Sequence, residues 1–532
     1  MQQNQPRSTQ TSWVTPIIYA GLLLLGIGIG IFLKGSFSIG FPSSDSNSAM
    51  DEIIELVKSK YVEQVNLDST QTKLADFYLG QLDPHSVYIP PADLMDANEQ
   101  LQPNYKGIGI EFQQFRDSVF VDYVMPGGPA AKVGLKTGDI LLTVDDSVKL
   151  SGNKLDGEAI KRKIKGPADE NIKLAVLRNQ QKLTFNLVRA SVPVTPIDAA
   201  YMVSDTVGYI KIDKFADRTY EAFMQALEPL LKKGMKSLVI DLRGNGGGLL
   251  SEAVGIADEL LAGNKLIVYT EGLHAPRVNY YSKREGLFET GEITILMDET
   301  SASASEVLAG ALQDWDRATI IGRRSFGKGL VQQQFGLTDG SAVRLTIARY
   351  FTPLGRNIQK TYTAGKEKYD EELMSRYHNG VLDKADSSVL KGKKFKTPGG
   401  RILYGGGGIT PDVIVPLASS LQDTLIMQLY LSNTLSNFVY ELYKNNRTYF
   451  DGFKTPEALA KGFVPASAEW NAFAAAAAKD NIVATKVSAA GKAYLLQSIK
   501  ILMARQIWRT EGYYQLQNAT DSTVAKALQQ LK

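Results

Sequence analysis

Apolar positions recur along this chain with different periods, and each period marks a different kind of element. From Trp13 to Leu33 the residues are mostly apolar, inside 26 consecutive uncharged positions between Arg7 and Lys34. About 20 such residues span a bilayer core as a helix. No small-x-small cleavage site follows Phe32-Leu33-Lys34, so the tract predicts a retained membrane anchor rather than a removed leader. A Ser- and Gly-rich tether follows over 36–49. Ile53, Ile54, Val57 and Tyr61 then repeat at helical spacing, and proline at 84, 90 and 91 breaks the regularity. Short strand-like runs with glycine turns occupy 105–190. From about 195 the texture changes: Ser237 to Leu242, Leu266 to Tyr269, Ile293 to Met297 and Ala318 to Ile321 are apolar throughout and alternate with helical stretches. Buried parallel strands have that pattern, so 195–420 reads as α/β. The residues beyond 420 are helical in pattern and include the alanine run from Ala474 to Ala478.

Composition narrows the chemistry. The 532 residues give room for about three domains of ~150 residues. Lys+Arg number 59 against 56 Asp+Glu, and a net charge of +3 supplies no basic field for nucleic acid. With no cysteine, a thiol nucleophile, a thiolate metal site and a disulfide framework are excluded. His85, His274 and His378 lie far apart and in no ligand or triad motif, so a hydrolase built on this chain would draw its general base from another residue type.

Two glycine motifs lie in the 105–190 region. Tyr105-Lys-Gly-Ile-Gly-Ile-Glu-Phe112 sets glycines at 107 and 109 just before an alternating strand, where successive amides can capture a carboxylate and the strand edge can accept a peptide. Downstream, Pro126 to Leu141 encodes a short helix closed by Gly134 and a turn into a strand. In this order the pair resembles a PDZ domain, which implies that Lys106, Gly107, Ile108, Gly109 and Ile110 form a carboxylate-binding loop.

Three spots in the α/β region carry candidate chemistry. Asp241-Leu-Arg-Gly-Asn-Gly-Gly-Gly248 follows a buried strand; it lacks the Gly-Lys-Ser/Thr ending of a P-loop, and its amides suit a transient oxyanion as well as a phosphate. Thr300 to Gly310 opens a helix, where Ser303 and Glu306 have capping-box spacing and a serine is also well placed as a nucleophile. Ser325-Phe-Gly-Lys-Gly-Leu-Val-Gln332 presents Lys328 between two glycines, and a desolvated lysine can act as a base if its pKa falls from about 10.4 to around 7 or 8.

These pieces in this order resemble the C-terminal processing peptidases, PDZ-containing serine proteases of peptidase family S41 with a Ser–Lys dyad. The resemblance runs from about Met50 to Pro416 and includes Asp83-Pro-His-Ser-Val-Tyr88. It implies Ser303 as nucleophile, Lys328 as general base and Gln332 as the residue that positions the lysine. Spacing alone would not pair the last two, because residues four apart in a strand lie about 13 Å apart. The oxyanion donors implied are the amide of Ala304 and one in the Gly246-Gly247-Gly248 turn, with the choice of glycine left open. Asp314 lies 11 residues beyond Ser303, about 16 Å along a helix axis, and reads as structural. Ser301 and Ser305 are weaker nucleophile candidates.

The expected organisation is a cytoplasmic tip and anchor over 1–35, a tether and helical segment over 36–104, a PDZ domain over 105–190, an α/β protease core of ClpP/crotonase type over 191–420, and a helical extension over 421–532. The charged stretch 361–400, with its basic run from Lys391 to Lys396, and the long tail depart from a minimal family member. The basic run reads as a solvated loop, and the tail as a dimerisation arm, a lid or a partner surface. No metal and no organic cofactor are expected. Partners implied are protein or peptide substrates with accessible C-termini, the membrane through the anchor, and a homodimer mate or adaptor; nucleic acid is excluded. The location implied is the cytoplasmic membrane with the catalytic part facing the periplasm. The rival readings are a tethered PDZ scaffold without activity and a non-peptidase acyl hydrolase.

Overall fold

The computed structural model describes residues 49–99, 102, 104–115, 117–152, 155–378, 392–417 and 423–531. The apolar tract from Trp13 to Leu33 lies outside the described residues; among those described, no helix is long and apolar enough to cross a membrane. The chain divides into two compact units, 1–71 and 72–532. In the first, Ala49–Lys60 forms a helix on which Ile53 and Leu56 are exposed.

Among its described residues, the second unit holds three hydrophobic cores, the second of them divided by its sheet into two clusters. The first belongs to the strand-rich region, where a six-stranded sheet runs in the order Ile110–Phe115, Ser118–Val124, Ile140–Val144, Asn171–Arg178, Gln181–Val188, with Val148–Lys149 beside the third of these. Val121, Leu141 and Leu174 of this sheet are fully buried together with Ile108 of the preceding loop and Ile160 of the helix Gly157–Ile164. Asn104–Gly107 pairs with Ala190–Pro193 and closes the domain at its base. Ile110–Phe115 is an edge strand, paired among the described residues only with Ser118–Val124, and it faces the helix Gly157–Ile164 across a cavity of ≈ 540 Å³.

The second core is built on a six-stranded sheet ordered Ile197–Met202, Val207–Ile212, Ser237–Asp241, Glu292–Met297, Ala318–Gly322, Val413–Ile414, parallel after its first antiparallel pair. Helices Thr219–Lys232, Leu250–Asp258 and Ala304–Asp314 cover one face. The other face is covered by the tail: Val524 and Ala527 of helix Ser522–Gln530 pack with Tyr209, Val239, Leu296 and Ile321. A parallel sheet needs both faces buried, so at least this end of the extension completes the α/β core. The rest of the tail forms a third, all-helical core around Phe450, Phe473 and Leu495.

One expectation fails. Leu266–Gly272 is not a parallel strand of the central sheet. It pairs antiparallel with Ala275–Tyr281 and with Ala342–Phe351 in a second sheet that also carries Val87–Ile89 and Leu330–Gly336. An apolar run reports burial and not the direction of the neighbouring strand, which is why this one misled. Within 361–400, the basic run is not simply a solvated loop: Lys394–Lys396 pairs with Ile402–Tyr404, and a helix spans Lys366–His378. Residues 379–391 lie outside the described residues.

Candidate active site

The candidate site forms where the parallel strands end and the two glycine-rich turns meet the second sheet. Ser303 is the N-cap of Ala304–Asp314 and has φ 55°, ψ −115°, a conformation that costs a non-glycine residue about 1–3 kcal/mol. Several contacts hold it. Glu306 accepts the Ser303 amide at 2.9 Å, which is the carboxylate half of the expected capping box. Asn245 reaches across from the glycine turn: its carbonyl accepts the Ala302 amide at 3.0 Å and the Ser305 hydroxyl at 2.9 Å. Ser301 gives its hydroxyl to the Leu242 carbonyl, 2.9 Å away. Both flanking serines are therefore spent on fixing the turn, and Ser303 lines a cavity of ≈ 630 Å³.

Lys328 lines the same cavity. Its Nζ donates to Gln332 Oε1 at 3.0 Å, and Gln332 Nε2 donates to the His85 carbonyl at 2.5 Å. The 13 Å objection fails because Lys328 precedes the strand Leu330–Gly336, whose register with Ala342–Phe351 shifts between Val331 and Gln332. The bulge folds the long lysine side chain back onto the glutamine. Among the described residues the ammonium has no carboxylate within ion-pair distance. Burial lowers its pKa, and the charge of Arg344 lowers it further, while Asp83 and Glu306 act the other way.

Glu306 joins the two halves. It is fully buried; Oε2 accepts the amides of Ser303 and Lys328, both at 2.9 Å, and Oε1 accepts the Gly327 amide at 2.8 Å and the Ser325 hydroxyl at 2.5 Å. Burial pushes its pKa up to about 7 even against these four donors. Tyr350 adds a second brace, donating to the carbonyl of Ser303 at 3.1 Å and to that of Lys328. The helix Lys366–His378 covers the lysine loop from outside, with Arg376 donating to the Ser325 carbonyl at 2.9 Å.

The glycine turn touches the nucleophile turn directly. A Cβ on Gly247, which has φ +97°, would lie 2.5 Å from the Ala302 carbonyl and 2.9 Å from the Ala304 amide nitrogen. The Gly247 amide itself is occupied by Asn245 Oδ1 at 2.8 Å. Those of Gly248 and Ala304 have no acceptor among the described residues. Asp314 takes no part: it pairs with buried Arg356 at 2.6 Å and accepts the Leu354 amide at 2.9 Å.

His85, Glu306, Tyr350 and Arg344 were not foreseen as parts of this site. His85 sits in the loop that Asp83 ties down through the amides of His85 and Ser86, at 2.8 and 2.9 Å. Its ring bonds the Tyr369 hydroxyl through Nε2 at 2.8 Å, and burial followed by the Lys328 charge lowers its pKa to about 4. The ring is neutral near pH 7, and what it offers the site is its backbone carbonyl.

In the strand-rich domain, Gly107, Ile108, Gly109 and Ile110 line the cavity between the edge strand and helix Gly157–Ile164. The loop is fixed by Ala130 and Met125, whose amides donate to the carbonyls of Ile108 and Gly109, both at 2.9 Å. Gly109 has φ +74°, where glycine is favoured. The Lys106 amide is taken by Glu99 Oε1 at 3.2 Å, and Glu99 also pairs with Lys165.

Residues 206–368 match the model of peptidase family S41, and 120–178 that of the PDZ domain. A carboxy-terminal-processing protease of Bartonella bacilliformis is 31% identical over 389 residues, covering 70% of this chain and 88% of that protein. The chain belongs to the C-terminal processing peptidases of family S41. A carboxy-terminal processing protease of Bacillus subtilis is 31% identical over 325 residues, covering 60% of this chain and 67% of its own length. Among solved structures, the photosystem II D1 C-terminal processing protease is 26% identical, covers 71% of this chain and 89% of that one, and superposes with a TM-score of 0.39. Residues 425–509 of this S41 peptidase match a family of unknown function.

Proposed function

We propose that the chain is a serine endopeptidase in which Ser303 attacks a peptide carbonyl while neutral Lys328 takes its proton. Gln332, itself held by the His85 carbonyl, orients the amine. The free amides of Ala304 and Gly248 receive the oxyanion. The acyl-enzyme on Ser303 is then released by water, with Lys328 as acid and base in turn. The observation that carries this reading is the shared cavity: a strained serine and a half-buried lysine line it together, and the amine is bonded to a neutral amide and to no carboxylate among the described residues. Substrate C-termini would dock as an added strand on Ile110–Phe115, with the carboxylate in the loop from Lys106 to Ile110. The tract from Trp13 to Leu33 would anchor the enzyme in the cytoplasmic membrane with this machinery outside the cytoplasm; protease accessibility in intact and permeabilised cells tests that orientation.

The decisive test uses the chain from residue 36 onward and an unstructured peptide ending in a free apolar carboxyl terminus. Cleavage should be lost in both Ser303→Ala and Lys328→Ala, and a mass increment of one acyl group should map to Ser303. Equal cleavage by the variants would remove the dyad reading and point to a contaminant or another site, whereas none by the wild type would favour a scaffold without activity. An amidated peptide cut as fast as the free acid would remove the carboxylate-docking part alone.

A further inference from the structure

The catalytic cavity has a charge imbalance that the chemistry of the dyad does not explain. Among the described residues its wall contains Lys214, Lys328 and Arg344 and no Asp or Glu. A half-buried cation normally has an anionic partner close by, because desolvation is costly when it is not offset. Arg344 lacks one: among the described residues its guanidinium makes a single hydrogen bond, to Gln334 Oε1 at 3.1 Å. Gln334 is in turn fixed through Nε2 by Asn98 Oδ1 at 2.9 Å. Two neutral amides thus hold the guanidinium without neutralising it. The nearby carboxylates are committed elsewhere, Asp83 to the 85–86 loop and Glu306 to its four donors. The Lys214 ammonium also has no ion-pair or hydrogen-bond partner among the described residues; only its backbone carbonyl is engaged, by the Thr219 hydroxyl at 3.3 Å. It lines both this cavity and the one beneath the edge strand Ile110–Phe115, so it stands where the two cavities adjoin. The acidic residues of that second cavity, Asp96, Glu99, Glu111 and Glu158, do not pair with it, and Glu99 is taken by Lys165.

We propose that Arg344, assisted by Lys214, is a specificity-determining residue that binds a carboxylate of the substrate close to the scissile bond. The substrate class is then a peptide that is acidic beside its cleavage point. A guanidinium with most of its five N–H donors unused can grip a carboxylate with two parallel hydrogen bonds, which a lysine cannot do. The same chemistry is offered by an Asp or Glu side chain and by a chain terminus lying only a few residues from Ser303. This inference rests on the peptidase reading above.

The test is a set of paired peptides, Glu against Gln, scanned one position at a time over the three residues on each side of the cleaved bond. Each is made as the free acid and as the amide, and cut by the wild-type chain and by Arg344→Gln, Arg344→Lys and Lys214→Gln. The expected result is a preference for Glu at one or two positions of about tenfold in kcat/KM. Arg344→Gln should reduce it to less than about twofold, and Arg344→Lys, which keeps the charge but not the fork, should retain part of it. Lys214→Gln should weaken it, which keeps the idea open to refutation if the Arg344 variants do not fold. A preference that follows the free acid and not the side chain assigns the carboxylate to the chain terminus. The inference is overturned if no position favours Glu, if the preference survives both Arg344→Gln and Lys214→Gln, or if Arg344→Gln alters only the pH profile. Failure to cut any peptide, with no acylation of Ser303, would instead sink the peptidase reading and this inference with it.

Discussion

Gly247→Ala and Gly246→Ala differ by one position in the chain and should differ by orders of magnitude in effect. At Gly247 a Cβ would lie 2.5 Å from the Ala302 carbonyl, 2.7 Å from the Ser303 Cβ and 2.9 Å from the Ala304 amide nitrogen, on a backbone with φ +97°. The left-handed conformation alone costs an L-residue about 1–2 kcal/mol. Relief of the contacts requires the nucleophile turn to move by roughly 0.5–1 Å, and a displacement near 1 Å is enough for a loss of about 10²-fold. Losing the Ala304 amide as an oxyanion donor would by itself cost about 10²–10³ in kcat. Gly246 has nothing within 4 Å of its ideal Cβ and is not among the glycines of positive φ. Alanine there should be neutral or stabilise by about 0.4–1 kcal/mol through the unfolded chain. Kinetics on a single peptide, with urea denaturation of each variant, should show kcat down by about 10²-fold or more for Gly247→Ala, with KM little changed. Wild-type behaviour is expected for Gly246→Ala. If Gly247→Ala kept kcat within about threefold, or if both variants were equally impaired, the packing of the glycine turn against Ser303 would not be what positions the oxyanion donors.

Three further outcomes follow from the charges around the site. Asp314→Ala leaves the Arg356 guanidinium, 1% exposed, without its partner at 2.6 Å, and should destabilise the core by about 3–5 kcal/mol; urea titration should show Asp314→Ala/Arg356→Met recovering much of that loss. Arg344→Gln removes a positive neighbour that depresses the Lys328 pKa, so the base regains affinity for its proton and the acid limb of the kcat/KM–pH profile should move to higher pH. His85 is held at about 4 by burial and the Lys328 charge, below its ordinary 6.5. The unfolded chain then binds more protons than the folded one between those values, so stability should fall as pH drops from about 6.5 towards 4. Denaturation midpoints of His85→Gln should fall less over that window, and an equal decline would show that another group carries it.

The division between what could be read from the chain and what could not follows the distance over which each contact is made. The glycine turn, the serine at a helix start and the lysine between two glycines are local patterns, and their order along 240–332 carries the resemblance that brings them together. The link between Lys328 and Gln332 is only four residues long, yet an ideal strand would have kept the two apart; the register shift at Val331 and Gln332 is invisible in composition. The carbonyl that fixes Gln332 comes from His85, 247 residues earlier, and the two alcohols that looked like spare nucleophiles, Ser301 and Ser305, are bound to carbonyls some 60 residues away. Glu306 gives the sharpest case. Its spacing from Ser303 suggested a capping box, and the capping contact is indeed made, but the same carboxylate also takes the amides of Gly327 and Lys328. One buried group therefore satisfies a local rule and a tertiary one at once. An ordinary helix cap on the surface would have needed no burial; complete burial with four donors makes sense only where the strained serine turn and the lysine loop must be held in one fixed relation. The tail obeys the same logic on a larger scale: a helical pattern was legible beyond residue 420, but only the open face of the parallel sheet explains why helix Ser522–Gln530 lies where it does.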